Sequence, residues 1–184
     1  MACDALTTGR DKPCFNQIAG IKNVYFSTDA LGAITYNVTD TDSITTFVGA
    51  PEFFKYELRG ANNTFDAGTV NKDINNGTTF FTQTLEINLT KLDRESQKEI
   101  KLLIWASPTV VIETYSGFYL VMGLLNGADV TGGSIPTGGG KGDFAGYSLT
   151  MTAEEITPAN FLDGSGDSTL TDTTATISAT QITP

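Results

Sequence analysis

The stretch "TGGGKGDFAGYSLT", residues 137–150, contains a glycine run beside Lys141, a combination that could cradle a phosphate. A Walker-type loop needs the spacing G-x-x-x-x-G-K-[ST] and a following helix, because loop amides and the helix N-terminus hold the phosphates together. Here Gly142 occupies the position of the Mg²⁺-binding hydroxyl, and Ile135 occupies that of the first glycine. The chain then continues in an alternating pattern typical of a strand. We therefore predict a glycine-rich connection between two strands (132–146) and no phosphate site.

Residues for other catalytic or metal-binding chemistry are scarce. The chain has no histidine, which excludes Ser-His-Asp and Cys-His sets, and its only cysteines, Cys3 and Cys14, cannot form a zinc site alone. These two cysteines are either reduced thiols or a disulfide. The adjacent Glu154 and Glu155 would point to opposite faces of a strand and could not share a substrate. We predict that the protein is not an enzyme, that it has no catalytic residue, cofactor or metal, and that its acidic residues are solvated.

The charge balance argues against stable nucleic-acid binding. The chain has 21 Asp and Glu against 11 Lys and Arg, a net charge of −10, whereas phosphate backbones are held by clusters of Lys and Arg. The densest basic group is interleaved with acids and is expected to be a solvated helix face: Lys91, Arg94, Lys98 and Lys101. The longest apolar run, "FYLVMGLL", is too short to span a bilayer, and no signal peptide is evident. We expect a soluble protein, made in the cytoplasm, without membrane contact.

Alternating apolar and polar residues predict a mainly β protein. From Phe118 to Leu125 both faces of the predicted strand are apolar, so it must lie in a sheet that is covered on both sides, within the domain or between subunits. This segment supplies a candidate inter-subunit strand with Tyr119, Val121 and Leu125. The predicted strand regions are 23–40 (two strands), 52–59, 81–90, 109–125 and 147–155.

Between two of these strands, residues 60–77 are rich in Asn, Asp and Gly, which predicts a long loop. The strands before and after it, 52–59 and 81–90, could then pair through a tight turn if the loop were shortened. The loop is either a mobile surface excursion or an arm that docks on another subunit. The candidate docking residues are Phe65, Val70, Asn71 and Asp73, and the two apolar ones are expected to lack local partners.

One amphipathic helix is predicted at about residues 91–106, with Thr90 or Asp93 as N-cap and Pro108 as the stop. Its inner face would carry Leu92, Ser96, Ile100, Leu103 and Ile104. Combining this face with the inward residues of the strands gives the predicted core: Phe26, Leu85, Ile87, Leu89, Ile100, Leu103, Leu120, Leu149 and Met151.

Two segments resemble virion proteins of tailed bacteriophages. The opening "MACDALTTGRDKPCFNQIAGIKNVYF" resembles their N-terminal arm. The segment "SGFYLVMGLLNGADVTGGSIPTGGGKGDFAGYSLTMTAEEITPANFL" is similar to the later half of phage tail tube proteins, where a buried strand, a glycine-rich loop and a further strand follow a single helix. The resemblance implies a β-sandwich or rolled β-barrel with one flanking helix. It divides the chain into an N-terminal arm (1–22), a tail-tube-like β domain (23–162) and a Thr/Ser-rich C-terminal tail (163–184), which is a linker or a further strand.

The resemblance also implies a function. Tail tube subunits form homo-oligomeric rings, commonly of six, and the rings stack into a tube in the tail of the virion, after synthesis in the host cytoplasm. A negatively charged lumen would let genomic DNA pass without specific binding, and the expected partners besides other copies are the tape measure and the sheath or other tail proteins. The alternatives are another virion protein, such as a tail terminator, tail ring or head decoration protein, or a β-sandwich module that binds a glycan or cell surface.

Overall fold

The computed structural model describes residues 9, 18–29, 31–38, 42–47, 51–58 and 62–162, together with the backbone of 176–178. Cys3 and Cys14, most of the predicted arm, and most of the predicted tail lie outside these residues. The elements are β1 Ile21–Ser27, β2 Ile34–Tyr36, β3 Ser43–Phe47, β4 Glu52–Glu57, β5 Thr64–Asp73, β6 Thr78–Thr90, α1 Arg94–Trp105, β7 Thr109–Thr114, β8 Tyr119–Met122, β9 Asp129–Ser134, β10 Gly146–Glu155, β11 Asn160–Leu162 and β12 Thr176–Ser178.

The strands form two sheets. The large sheet has the order β12-β4-β1-β7-β8-β11-β3-β2, and the small sheet has the order β5-β6-β10-β9. Every pairing in the small sheet is antiparallel, whereas the large sheet also contains two parallel pairs, β11 with β3 and β12 with β4. The predicted mainly β class with one helix is confirmed, and within the described part of the chain neither sheet closes into a barrel.

The main core lies between the two sheets and under the helix. Alternation along the strands places Val24 and Phe26 of the large sheet on the same side as Ile112, and places Leu85 and Met151 of the small sheet against them. Seven of the nine predicted core residues are buried, while Leu89 and Leu120 are only half-buried. The buried seven are Phe26, Leu85, Ile87, Ile100, Leu103, Leu149 and Met151.

A second core covers the opposite face of the large sheet. Val111 and Val121 point into it, and Ile44 packs there from β3, near the far end of the same sheet. The sheet curls enough that the rings of Phe47 in β3 and Phe53 in β4 are 5.7 Å apart, although five places separate their strands. The apolar run around β8 is therefore explained within one chain, because the large sheet is covered on both faces.

The helix is shorter than predicted. It begins at Arg94, because the Asp93 side chain accepts a hydrogen bond from the Glu95 amide and caps the first turn. Ile100 and Leu103 are buried as predicted. The predictions for Leu92 and Ile104 were wrong: Leu92 precedes the helix, and both side chains are exposed.

The predicted loop at residues 60–77 was also wrong. Residues 64–73 form β5, which pairs with β6 through a turn at 74–77 whose last residue, Gly77, has φ +67°. Polar residues are compatible with a strand here because β5 is an edge strand with one solvated face. The strands before and after this region are not hairpin partners, since β4 lies in the large sheet and β6 in the small one. The glycine-rich connection contains a further strand that was not predicted, β9.

Candidate functional site

The glycine loop that first suggested a phosphate site is held by its own aspartate. Asp143 Oδ2 accepts hydrogen bonds from the amides of Gly139 at 3.0 Å and Gly140 at 2.6 Å. These amides, Gly140 first, hold the pKa of the Asp143 carboxyl below its usual value. Gly138 supports the turn with φ +74°, a conformation that favours glycine. The two amides that could face a phosphate are therefore already bonded to a carboxylate of the chain.

The described residues offer little for metal chemistry or membrane insertion. No group of three or more His, Cys, Asp or Glu side chains in this part of the chain is placed to hold a metal ion. Within the same residues, the single helix is too short and too polar to cross a bilayer. The surface of the small sheet is the more distinctive feature.

We use the term polar face for the side of the small sheet that points away from the core. Its members alternate with buried residues along each strand; for example, Glu86 and Thr150 are opposite each other, and flank Ile87 and Leu149. Phe80, near the end of the hairpin, is its one large apolar member. By the strand register the face consists of Thr64, Asp66, Thr69, Asn71, Asp73, Thr78, Phe80, Thr82, Thr84, Glu86, Asn88, Asp129, Gly132, Ser134, Ser148, Thr150, Thr152 and Glu154.

The charge on the polar face is all of one sign. Five carboxylates lie on it, at Asp66, Asp73, Glu86, Asp129 and Glu154, and no lysine or arginine does among the residues that the structure describes. The remaining positions are mostly Thr, Ser and Asn. Lys72 belongs to β5, but its register opposite Thr79 points it to the other side. A surface of this kind repels polyanions and provides no group to neutralise a phosphate.

Both outer strands of the small sheet have an unpaired edge. Among the described strands, nothing pairs with β5 beyond β6 or with β9 beyond β10. Within β5, the Ala67 carbonyl at the bulge is already bonded to the Ala159 amide. Three antiparallel pairings separate β5 from β9, so these two edges run in opposite directions. Exposed strand edges are templates for pairing with another chain. Residue Asp66 shapes one of them, because its carboxylate accepts from the Gly68 amide and the Thr69 hydroxyl at a bulge.

The predicted docking residues of 60–77 all lie on β5, but in different settings. Phe65 packs against the main core, so the expectation that it lacks local partners was wrong. Val70 lies opposite Phe81 and is 60% exposed. Asn71 donates to the Thr82 hydroxyl, and Asp73 accepts from the amides of residues 75 and 76 in the turn. Their role in subunit contacts stays a prediction.

The predicted inter-subunit strand lies in the interior of the large sheet. Strand β8 is paired with β7 on one side and β11 on the other, so its backbone is not available to another subunit. Val121 is fully buried in the second core, and Tyr119 packs against it. Leu125 follows the strand, in a turn, and is 58% exposed. Of the three side chains, only Leu125 is positioned as a surface contact.

Two buried polar side chains of the small sheet, Gln83 and Glu155, hold the turn that follows β8. Glu155 Oε1 accepts from the amides of Leu125 at 2.9 Å and Asn126 at 3.0 Å, while Glu155 itself is opposite Phe81, the partner of Val70. Gln83 accepts from the Gly123 amide and donates to the Thr157 carbonyl. The prediction that the acidic residues are solvated was therefore wrong for Glu155. Its inward position in the alternation of β10 was the signal in the sequence.

A second buried carboxylate, Glu113, holds together β1 and β7. It accepts from Lys22 Nζ at 2.5 Å, Asn23 Nδ2 at 2.6 Å and the Tyr25 hydroxyl at 2.9 Å. Burial raises the pKa of Glu113, but the three hydrogen bonds and the Lys22 charge outweigh it and hold that pKa below its usual value. Burial, followed by the hydrogen bond to Glu113, raises the pKa of Tyr25. This network links the neighbouring strands β1 and β7. The prediction that the acidic residues are solvated was therefore wrong for Glu113 as well.

Comparisons with protein-family models, with curated proteins and with solved structures found no match to this chain.

Proposed function

We propose that this protein is the ring-forming subunit of a phage tail tube. The observation that carries the proposal is the small sheet: an antiparallel sheet whose two outer strands pair with no further described strand, and whose outward face is acidic and hydroxylated. The rings, commonly of six subunits, would stack into the tube of the virion tail. The resemblance in sequence motivates the same function independently of the sheet.

The strand directions suit closure of a ring. Subunits related by rotation about a tube axis keep their strand directions, so β9 of one copy would meet β5 of the next in opposite orientation. The small sheet would then continue from one subunit to the next with antiparallel pairing throughout. It is a heterologous, head-to-tail contact, which forms a ring when the rotation closes. Closure also removes the exposed edges, as it does in a barrel.

In such a ring the polar face would line the lumen, because the opposite face of the small sheet is covered by the core. Five carboxylates per subunit would repel DNA phosphates, and no cation on the face would retain them. Genomic DNA could then slide without specific binding. The large sheet and helix would lie outside, toward a sheath or other tail proteins, and a tape measure protein would share the lumen before the DNA passes.

Negative-stain microscopy of the purified protein tests the proposal directly. We expect rings or tubes, and monodisperse globular particles at high concentration would contradict it. Hydrogen exchange then tests the edges: within 64–73 and 129–134, the amides that point away from β6 and β10 should exchange at least about tenfold more slowly in assemblies than in separated subunits. The inner strands β6 and β10 serve as the control, because their amides are paired in both states.

A further inference from the structure

The hairpin of β5 and β6 extends beyond the rest of the small sheet. The last pair that joins β10 to β6 is Glu155 with Phe81, and past this point only the two hairpin strands continue to the turn at 74–77. At about 3.3 Å per residue, the turn projects roughly 10 Å past the end of β10. Ile74 in this turn is 85% exposed. We call residues 73–77 the hairpin tip.

An open groove lies at the opposite end of the same sheet. Its volume is about 350 Å³, and it is lined by Leu92, Asp93, Arg94, Gln97, Ile135 and Tyr147. The pair Gly146 with Thr90 marks this end of the sheet. Because β6 spans 13 residues, the groove and the tip are about 40 Å apart along the strand. A copy placed end to end with another would therefore bring a tip close to a groove.

We infer that the hairpin tip of a subunit in one ring docks into this groove on a subunit of the next ring. The inference rests on the proposed function, because it needs rings that stack in one direction. The occupant is a second copy of this chain, and Ile74 is the side chain that enters the groove. The contact is heterologous, so each ring uses its tips on one side and its grooves on the other.

The two surfaces match in size and in apolar character. A dry cavity of about 150 Å³ already holds a molecule of the size of benzene, so the groove has room for one isoleucine side chain. Leu92 and Ile135 are both partly exposed on its walls. Docking would remove these two side chains and Ile74 from water together, which favours association.

The charges match as well. The tip carries Asp73, whose carboxylate is bonded only within the turn, to residues 75 and 76. The groove carries Arg94, while its own acid, Asp93, is engaged in capping the helix. An aspartate at the tip and an arginine at the groove favour the head-to-tail arrangement over tip-to-tip contact, in which like charges would meet.

Disulfide trapping tests the contact. In a Cys3→Ser/Cys14→Ser background that assembles normally, the pair Ile74→Cys and Ile135→Cys should give a ladder of cross-linked copies when tubes are oxidised. A mixture of the two single variants should stop at dimers, because each copy then has only one thiol. The matched control pairs Ile74→Cys with Lys98→Cys, which lies on the exposed helix surface outside the groove, and should give no ladder.

A second variant reports on stacking. Ile74→Asp should leave rings intact and reduce the mean stack length about tenfold or more, because a loss of about a factor of ten in association per side chain is repeated at every tip–groove contact between two rings. Val38→Asp, at a similarly exposed apolar residue just after β2, should stack normally. Normal stacking of Ile74→Asp together with an absent ladder would overturn the docking contact while leaving the tube function in place. Absence of both rings and tubes in the wild type would overturn both.

Discussion

Leu102 and Leu103 are adjacent in α1 and point about 100° apart around its axis, so Leu102 is 55% exposed whereas Leu103 is only 7% exposed in the main core. We expect Leu103→Ala to reduce the free energy of unfolding by about 2–5 kcal/mol, because it leaves a cavity between the helix and the sheets. Leu102→Ala is the matched control and should change it by less than about 0.5 kcal/mol. Urea denaturation measures both, and similar losses for the two variants would contradict the packing.

The hydrogen bonds that Asp143 accepts from the amides of Gly139 and Gly140, called here the Asp143 cap, should protect the glycine loop from exchange. In Asp143→Ala the amides of Gly139 and Gly140 should exchange with solvent much faster, while the melting temperature changes little because the loop is exposed. In the wild type the pKa of Asp143 is lowered by these amides, so the cap is fully present above the usual aspartate pKa and is lost as the pH falls through the lowered value. Loop exchange that is equal in variant and wild type at neutral pH would refute the cap.

The buried carboxylate of Glu113 should make part of the free energy of unfolding depend on pH. Glu113→Gln should cost about 1.5–3 kcal/mol at neutral pH, since it removes a charged acceptor from two buried donors, Asn23 and Tyr25, and from the half-exposed Lys22. The pKa of Glu113 is lowered in the folded protein, so its contribution is present above the usual glutamate pKa and disappears as the pH falls through the lowered value.

The difference in unfolding free energy between wild type and Glu113→Gln should therefore shrink on acidification, as measured by urea titrations across that range. Tyr25→Phe removes one donor and keeps the carboxylate, so it should cost less and preserve the acid dependence. A constant difference between wild type and Glu113→Gln would be the contrary result.

Part of the fold could be predicted where strands alternate between buried and less buried residues, as β10 does. Tyr147, Leu149, Met151 and Ala153 are buried at every second position of β10, as the sequence indicates. The helix followed from its 3.6-residue spacing and the cap at Asp93. Local pattern is sufficient where one face of an element is buried and the other is solvated.

The edge strands could not be predicted in the same way. Strand β5 contains Asn, Asp and Gly, which by composition favour loops, and it is a strand because β6 offers a ladder of partners across the turn. Whether a residue such as Val70 is paired depends on that neighbour and not on local preference. The groove near Leu92 and Ile135 likewise joins segments about 40 residues apart, and no single window of sequence shows it.

The proposed assemblies should tolerate salt. Continuation of the sheet and burial of apolar side chains hold the copies together, and exposed ion pairs contribute little and are screened at high ionic strength. Rings and stacks should therefore survive about 1 M NaCl, with the Asp73 and Arg94 charges affecting orientation more than strength. Light scattering and microscopy across a salt series measure this, and dissociation into single subunits at that salt would rule out sheet continuation as the main contact.

The acidic polar face makes the most direct prediction about the lumen. Glu86→Lys/Glu154→Lys places two cations per subunit on that face, so tubes of this variant should retain DNA in a nuclease-protected form. This retention should be lost as salt rises, because each neutralised phosphate steepens the fall of log K with log[salt] by about 0.9 for duplex DNA. The matched control, Glu95→Lys/Glu99→Lys, makes the same charge change on exposed helix residues and should protect no DNA, since any bound duplex stays outside the tube. Pelleting with a short duplex, nuclease digestion and quantification of the recovered DNA give the readout. Equal protection by the two variants, or protection by wild-type tubes, would mean that the polar face does not line the lumen.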